Sequence, residues 1–326
     1  MPNRLTALPE PVIGAAFALA TATLWGVLPI ALKLLVAHID PLTLTAVRFA
    51  TATILLGTLM RAWRMPTAVW GVVRARPVLH LVALLGLFGN FVLFAAALRY
   101  ISPTSAQLLA QWGPLLLIAG GTLILREPLS PMQAGGAVAV MIGMALFFHE
   151  GWEGQLHGAG SGLGMGYLIM MAGATSWAAY AMAQRRIAVL QPPRQSLLLL
   201  YAASAVLLLP FSHPASLLTL RGPAWIALAF AAVGTVLSYG SLAEALRRLD
   251  AARVGAIVSI APLLTALSNR LLASWAPTDL KQENLDAMAI VGGLIVVIGS
   301  TACAIGARSP SSGKPTVPLP RPGVAE

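Results

Sequence analysis

The sequence predicts an all-α integral membrane protein of ten transmembrane helices, built as two inverted five-helix repeats. Three observations carry that expectation. The 326 residues are 58% hydrophobic and 10% charged, with a mean hydropathy of +0.80, and so hold too few charges to clothe a soluble domain. The apolar residues fall in runs of roughly 20, the length that crosses a bilayer at about 1.5 Å per residue. The runs also repeat. Gly86, Arg99 and Pro114 return 148 positions later as Gly234, Arg247 and Pro262, while Gly14, Trp25, Lys33 and Pro41 return 152 positions later as Gly166, Trp177, Arg185 and Pro193. Gly136 and Gly143 share their spacing with Gly292 and Gly299. An odd number of spans per unit turns the second unit upside down relative to the first.

In chain order, residues 1–11 form a short cytoplasmic leader with Arg4, Glu10 and three prolines. Span 1 covers Val12 to Val36 and contains Pro29; span 2 covers Leu42 to Met60 and contains Arg48. The link 61–76 carries four arginines and reads as an interfacial segment. Span 3, Val78 to Leu98, contains Asn90. Span 4, Ser105 to Leu125, places Gln107, Gln111 and Pro114 four and three residues apart, on one helix face that has no use for lipid. Span 5 follows Arg126-Glu127-Pro128 and ends near His149. The glycine-rich outer linker, residues 150–162, is flexible by composition. Spans 6 to 10 then run from Met165 to Gln184, Gln195 to Phe211, Trp225 to Ala245, Val254 to Leu272 and Ala287 to Ile305. Residues 307–326, rich in Pro, Ser and Gly, read as a disordered cytoplasmic tail.

Charge sets orientation and excludes other classes. The net charge of +10 comes mostly from Lys and Arg in short links, as in cytoplasmic membrane loops, and not from a nucleic-acid patch. With both termini inside, only Arg99, Arg221 and Lys281 fall in outer links, so both termini are expected in the cytoplasm; the expected membrane is the plasma membrane, the bacterial inner membrane in particular. The single cysteine, Cys303, excludes an intrachain disulfide. No cleavable signal peptide is expected. The five histidines lack ligand spacing, so no metal is assigned, and no cofactor is implied.

The stretch LWGVLPIALKLLVAHIDPLTLTAVRFATATILL resembles the start of an EamA domain, with its Trp, Lys, Asp-Pro and second-span Arg. ALRYISPTSAQLLAQWGPLLLIAGGTLILREPLSPMQAGGAVAVMIGMAL resembles the rest, including the span 4 proline and the Arg-Glu-Pro before span 5. The resemblance covers residues 12–149 and 163–306; before span 10, ASWAPTDLKQENLD replaces the short Glu-Pro turn. It implies membership of the drug/metabolite transporter superfamily, with ten helices, two inverted EamA repeats and a solute cavity between them.

The shared faces and the resemblance together nominate a cavity of Trp25, Arg48, Asn90, Gln107, Gln111, Pro114, Trp177, Tyr180, Gln184, Ser238, Ser259 and Pro262. Each has a plainer reading beside it. The two glutamines either contact solute or bond neighbouring helices; the prolines permit bends and free a carbonyl; the aromatics form a wall or an interfacial belt. Lys33 reads as a snorkelling residue near the outer surface, and Glu127 as a local partner of Arg126 or a cap for span 5. Glu244 is the single carboxylate inside a predicted span. Arg247 and Arg248, on its face one turn later, favour a paired anion; the sharper reading makes Glu244 the proton carrier of a proton-coupled exporter.

No phosphate loop and no nucleophile–base motif are present, which argues against an ATP-driven pump and an enzyme. The expected function is gradient-driven transport of a small-molecule solute across the lipid bilayer by alternating access. The solute would be a small organic metabolite such as an amino acid, or a drug-like compound, and protons are a candidate coupling ion. A non-transporting membrane assembly subunit or an intramembrane enzyme stands as the alternative.

Overall fold

Proline punctuates this chain because its missing N–H costs nothing at the first position of a helix, where that donor has no intrahelical partner. Pro41, Pro77, Pro103, Pro131, Pro193 and Pro223 all open helices in this way. The protein is described here by a computed structural model covering residues 9–65, 70–149, 162–273 and 285–307. The helices of the first half are Glu10–Val36 (α1), Pro41–Ala62 (α2), Trp70–Ala75 (α3), Pro77–Ala97 (α4), Pro103–Leu109 (α5), Trp112–Leu125 (α6) and Pro131–Phe147 (α7). Those of the second are Leu163–Ile187 (α8), Pro193–Leu208 (α9), Pro223–Arg248 (α10), Ala251–Val258 (α11), Ala261–Ala273 (α12) and Ala287–Gly306 (α13). No strand occurs among the described residues. Most of the leader, part of the arginine-rich link, the glycine-rich linker up to residue 161, the link before span 10 and the tail beyond residue 307 lie outside them.

Eight passes are long and apolar enough to cross a membrane, counting α5 with α6 and α11 with α12 as one pass each. Two further helices fall outside that set: α7 is apolar but 17 residues long, and α8, at 25 residues, ends in the polar run Gln184-Arg185-Arg186. Polar caps hold the ends. Ser130 and Gln133 form a capping box at α7, and Asp40, Ser102, Asp250 and Asp286 each accept a backbone N–H of the helix that follows.

Three spans differ from the sequence expectation. Span 4 is not one continuous helix: α5 stops at Leu109, and α6 begins at Trp112 after a break at Ala110 and Gln111. Span 9 breaks likewise between α11 and α12, at Ser259 and Ile260. The cause is the same in both. Pro114 and Pro262 supply no N–H to the carbonyl four residues back, so the chain tightens there; Gly113 N reaches Ala110 O at 3.0 Å, and Ile260 N reaches Ile257 O at 3.3 Å. Span 7 also ends its α-helix earlier than expected, at Leu208, and passes into a 3-10 turn over Leu209–Phe211.

The halves pack on each other through equivalent helices: α1 on α10 and α4 on α8, α2 on α9, α7 on α13. Gly14 meets Leu249, and its counterpart Gly166 meets Ile101, the counterpart of Leu249. α7 and α13 cross antiparallel through glycines. A Cβ on Gly136 would lie 2.6 Å from the Gly299 carbonyl, and one on Gly143 would lie 2.6 Å from the Gly292 carbonyl. Lipid tails are as apolar as leucine, so close backbone approach and the dispersion contacts it permits take the place of hydrophobic collapse. The equivalence fails at one level. A Cβ on Gly86 would touch Tyr180 N at 2.6 Å, whereas one on Gly234 would meet no atom within 4 Å. There α1 carries Pro29 where α8 has Ala181.

Candidate functional site: a cavity between the halves

The two helix breaks face each other across a cavity of about 610 Å³. Ala110, Gln111 and Pro114 from one break, and Val258, Ser259 and Ala261 from the other, form part of its wall. A break frees backbone and turns the chain, and such irregular backbone is tolerated at membrane depth where it lines a cavity.

Of the residues nominated from sequence, nine lie on this wall: Trp25, Arg48, Asn90, Gln107, Gln111, Pro114, Trp177, Ser238 and Ser259. Tyr180, Gln184 and Pro262 do not. Tyr180 is buried where α8 packs on α4, in a cluster with Phe49, Leu87 and Tyr201. Gln184 donates to Ser196 Oγ at 2.6 Å. Pro262 faces a separate small cleft of about 110 Å³ with Leu108 and Phe147. Glu244 sits near the exposed end of α10, paired with Arg247 at 3.0 Å and with Arg248.

The wall is mostly apolar, and its polar groups are unevenly occupied. Asn90 Nδ2 donates to Gly173 O at 3.0 Å, so one edge of that amide is spent holding α4 on α8. Ser300 Oγ donates to Gln111 Oε1 at 3.1 Å. Ser259 and Thr301 share a hydroxyl bond of 2.7 Å. The Gln107 amide makes no hydrogen bond within the protein among the described residues, although the residue is only 9% exposed. Among the described residues Arg48 is the one charged side chain on the wall. It is 3% exposed, its Nε and Nη2 donate to Thr235 Oγ1 at 3.3 and 3.2 Å, and its guanidinium carbon lies 4.4 Å from the centre of the Phe91 ring.

Several wall residues were not nominated from sequence: Pro29, Phe91, Gln133, Thr235, Tyr239 and Ser300. A signal existed for two of them. Phe91 and Tyr239 are repeat equivalents, each following a nominated residue, Asn90 or Ser238. Tyr239 packs edge-on against Trp25 at 5.9 Å between ring centres. Thr235 and Ser300 carried no signal, because their partners come from the opposite half.

The cavity is closed at one end. There Leu32, Leu35, Ile39, Leu98, Ile101 and Leu108 belong to the largest buried apolar cluster. Lys33 ties the same end together: its Nζ donates to Leu98 O at 2.5 Å and Ile101 O at 3.1 Å, a latch in place of the expected snorkelling. At the other end the wall continues to Leu246, Val254 and Ala307, where the helices terminate. Glu127, near that end, pairs with Arg185 of the second half at 2.7 Å and not with Arg126. Among the described residues no group of three His, Cys, Asp or Glu side chains is placed to hold a metal ion.

Residues 12–149 and 164–303 each match the EamA-like transporter family. The chain is 32% identical over 305 residues to an uncharacterised inner membrane transporter, YhbE, of Escherichia coli K12, covering 91% of this chain and 92% of that protein. It is 26% identical over 301 residues to a probable amino-acid metabolite efflux pump of Salmonella typhimurium, covering 86% and 91%. It is also 26% identical over 266 residues to the aromatic amino acid exporter YddG of Ancylobacter novellus, covering 79% and 86%. A solved crystal structure at 20% identity superposes with a TM-score of 0.59 over 89% of this chain and 95% of that one, and shares the fold.

Proposed function

This chain belongs to the EamA-like transporter family and is an inner-membrane transporter, not an enzyme, and from that premise we propose that it is a gradient-driven exporter or permease of small organic metabolites. Amino acids are the first solute class to test; the names of the Salmonella and Ancylobacter relatives support it, as does a mostly apolar wall with a few polar groups. The mechanism is alternating access between two inverted repeats, with α7 and α8 completing ten passes. Both termini lie in the cytoplasm, as the distribution of Lys and Arg requires. On that orientation the Lys33 end is outer, and the cavity reaches the inner surface at Leu246 and Ala307.

One observation carries this reading: a cavity of about 610 Å³ walled by both halves, closed at one end and running to the helix termini at the other. The equivalent helix pairs and the antiparallel glycine crossing of α7 and α13 support the inversion. The test is flux. Purified protein in liposomes should move radiolabelled amino acids down an imposed ion or solute gradient faster than empty liposomes. No gradient-driven flux across a panel of amino acids, sugars and amphipathic drugs would refute it. Orientation has its own check. Ser161→Cys and Ser312→Cys, each in a Cys303→Ala background, should react with an impermeant reagent outside intact cells in the first case only.

A further inference from the structure

We propose that Arg48 is the docking charge for a carboxylate on the transported solute, and that the solute is an amphipathic monoanion or zwitterion with an apolar body. This rests on the transport reading and names the chemistry of its site.

A guanidinium with 3% exposure, deep in a membrane pass, is expensive unless something neutralises it. Among the described residues Arg48 makes no ion pair: every pair present joins other groups, and no Asp or Glu lies on the cavity wall. Its supports are neutral. Thr235 donates its own hydroxyl to Ala231 O at 2.8 Å, which leaves its oxygen free to accept Nε and Nη2 of Arg48. Phe91 lies under the guanidinium face at 4.4 Å. One edge and one face are thus held, and position is fixed without cancelling the charge. The Nη1 edge makes no hydrogen bond within the protein among the described residues, and Arg48 lines the cavity. A planar fork held along one edge, on a residue that lines the cavity, suits a carboxylate, which can accept two parallel N–H bonds.

The other half of the repeat packs the corresponding site without a charge. The equivalent position in α9 is Leu200, buried at 1% exposure, and it packs without any cation. Nor does the wall suit a phosphate dianion, for which a single positive charge is too few. It suits an apolar body instead: Trp25, Phe91, Trp177, Tyr239 and Leu115 surround the space, with the unbonded Gln107 amide among them. An ammonium alone finds no carboxylate there.

The experiment measures equilibrium binding of four small probes to the purified full-length protein. Two are acids, L-phenylalanine and 3-phenylpropionate, and two lack the carboxylate, 3-phenylpropanamide and phenethylamine. The acids should bind about tenfold or more tightly than the amide, the scale of one charge-assisted hydrogen-bonded pair. Arg48→Gln should abolish that preference while leaving amide affinity in place, and Arg48→Lys should retain part of it. The wild-type series alone decides the matter if the Gln variant fails to fold. Equal or tighter binding of the amide or the amine overturns the proposal, as does failure of both acids to bind, or a monodisperse Arg48→Gln protein that still prefers them. Should the acids bind preferentially while no solute crosses liposomes, the docking site stands and the transport reading falls.

Discussion

Lys33 and Arg185 occupy equivalent positions, 152 residues apart at the ends of α1 and α8, and they are differently engaged. Lys33 donates to the carbonyls of Leu98 and Ile101, whereas Arg185 reaches Glu127 at 2.7 Å and leaves the equivalent carbonyls of Leu246 and Leu249 alone. Packing differs in the same sense. α5 packs on α1 and on α12 at the closed end, while the equivalent pairs, α11 with α8 and α11 with α6, make no comparable contact among the described residues. A symmetric chain in an asymmetric arrangement is what a two-state transporter requires.

If Lys33 holds the closed end, Lys33→Met should weaken it, because the stem remains while the ammonium that donates to Leu98 O and Ile101 O is removed. Hydrogen bonds to charged groups are worth roughly 1.5–3 kcal/mol each, less where part-exposed as here, and about 1.4 kcal/mol shifts a two-state population tenfold. A single cysteine placed by Leu28→Cys in the Cys303→Ala background reports on the cavity wall. Its labelling from the outer side should rise several-fold on adding Lys33→Met. An unchanged rate would show that the apolar cluster alone keeps that end shut.

The glycine crossing predicts a sharp contrast between neighbours. A Cβ at Gly136 would sit 2.6 Å from Gly299 O and 2.7 Å from Cys303 N, whereas at Gly135 it would meet nothing within 4 Å. Gly136→Ala must push α7 from α13 and should cost about 1–3 kcal/mol, as overpacking does. Gly135→Ala should be neutral or slightly stabilising through helix propensity. Thermal unfolding in one detergent compares the two; equal midpoints would mean the helices slide apart freely.

These elements differ in how legible they were. Helix crossings demand glycine at fixed spacing, so Gly136, Gly143, Gly292 and Gly299 announce their contact in the sequence. Pro114 and Pro262 signal a bend, but not that the helix stops there. Helical periodicity places Trp177, Tyr180 and Gln184 on one face, but it does not say whether that face meets a void or another helix. Trp177 reaches the cavity; Tyr180 abuts Gly86 of α4, and Gln184 turns to Ser196 of α9. Partners from the other half, such as Thr235 for Arg48 and Arg185 for Glu127, depend on tertiary geometry that no local pattern encodes.

Acid should expose the cap of α2. The Asp40 carboxylate accepts from Leu42 N at 3.0 Å, Thr43 N at 2.9 Å and Thr43 Oγ1 at 2.6 Å, with His213 at 3.8 Å. Burial pushes its pKa up, but the bonds from Thr43 and Leu42 together with His213 outweigh that and hold it below the ordinary 3.8. A depressed folded value contributes stability that is fully present above the unfolded pKa and is lost as pH falls through the folded one. Asp40→Ala should therefore cost about 0.5–2 kcal/mol at neutral pH, the usual worth of an N-cap. The gap from wild type should narrow only below the ordinary carboxylate value. A gap that closes between pH 5 and 7 would assign it to another group.

The last prediction separates the two readings of Glu244. Its carboxylate lies at the end of α10, 42% exposed, bonded to Arg247 at 3.0 Å and to Arg248. Arg248 also holds Glu10 at 3.0 Å and stacks over Phe17 at 5.2 Å, so Glu244 is one member of a network that ties α10 to the start of α1. A proton carrier must lose its cationic partners during the cycle, whereas a strut keeps them. The network and the position off the cavity wall favour the strut. Glu244→Gln should then lower thermal stability slightly and leave the response of liposome transport to an imposed pH gradient intact. Loss of that response, with solute exchange preserved, would instead make Glu244 the coupling site and require Arg247 and Arg248 to move away from it as the cavity changes sides.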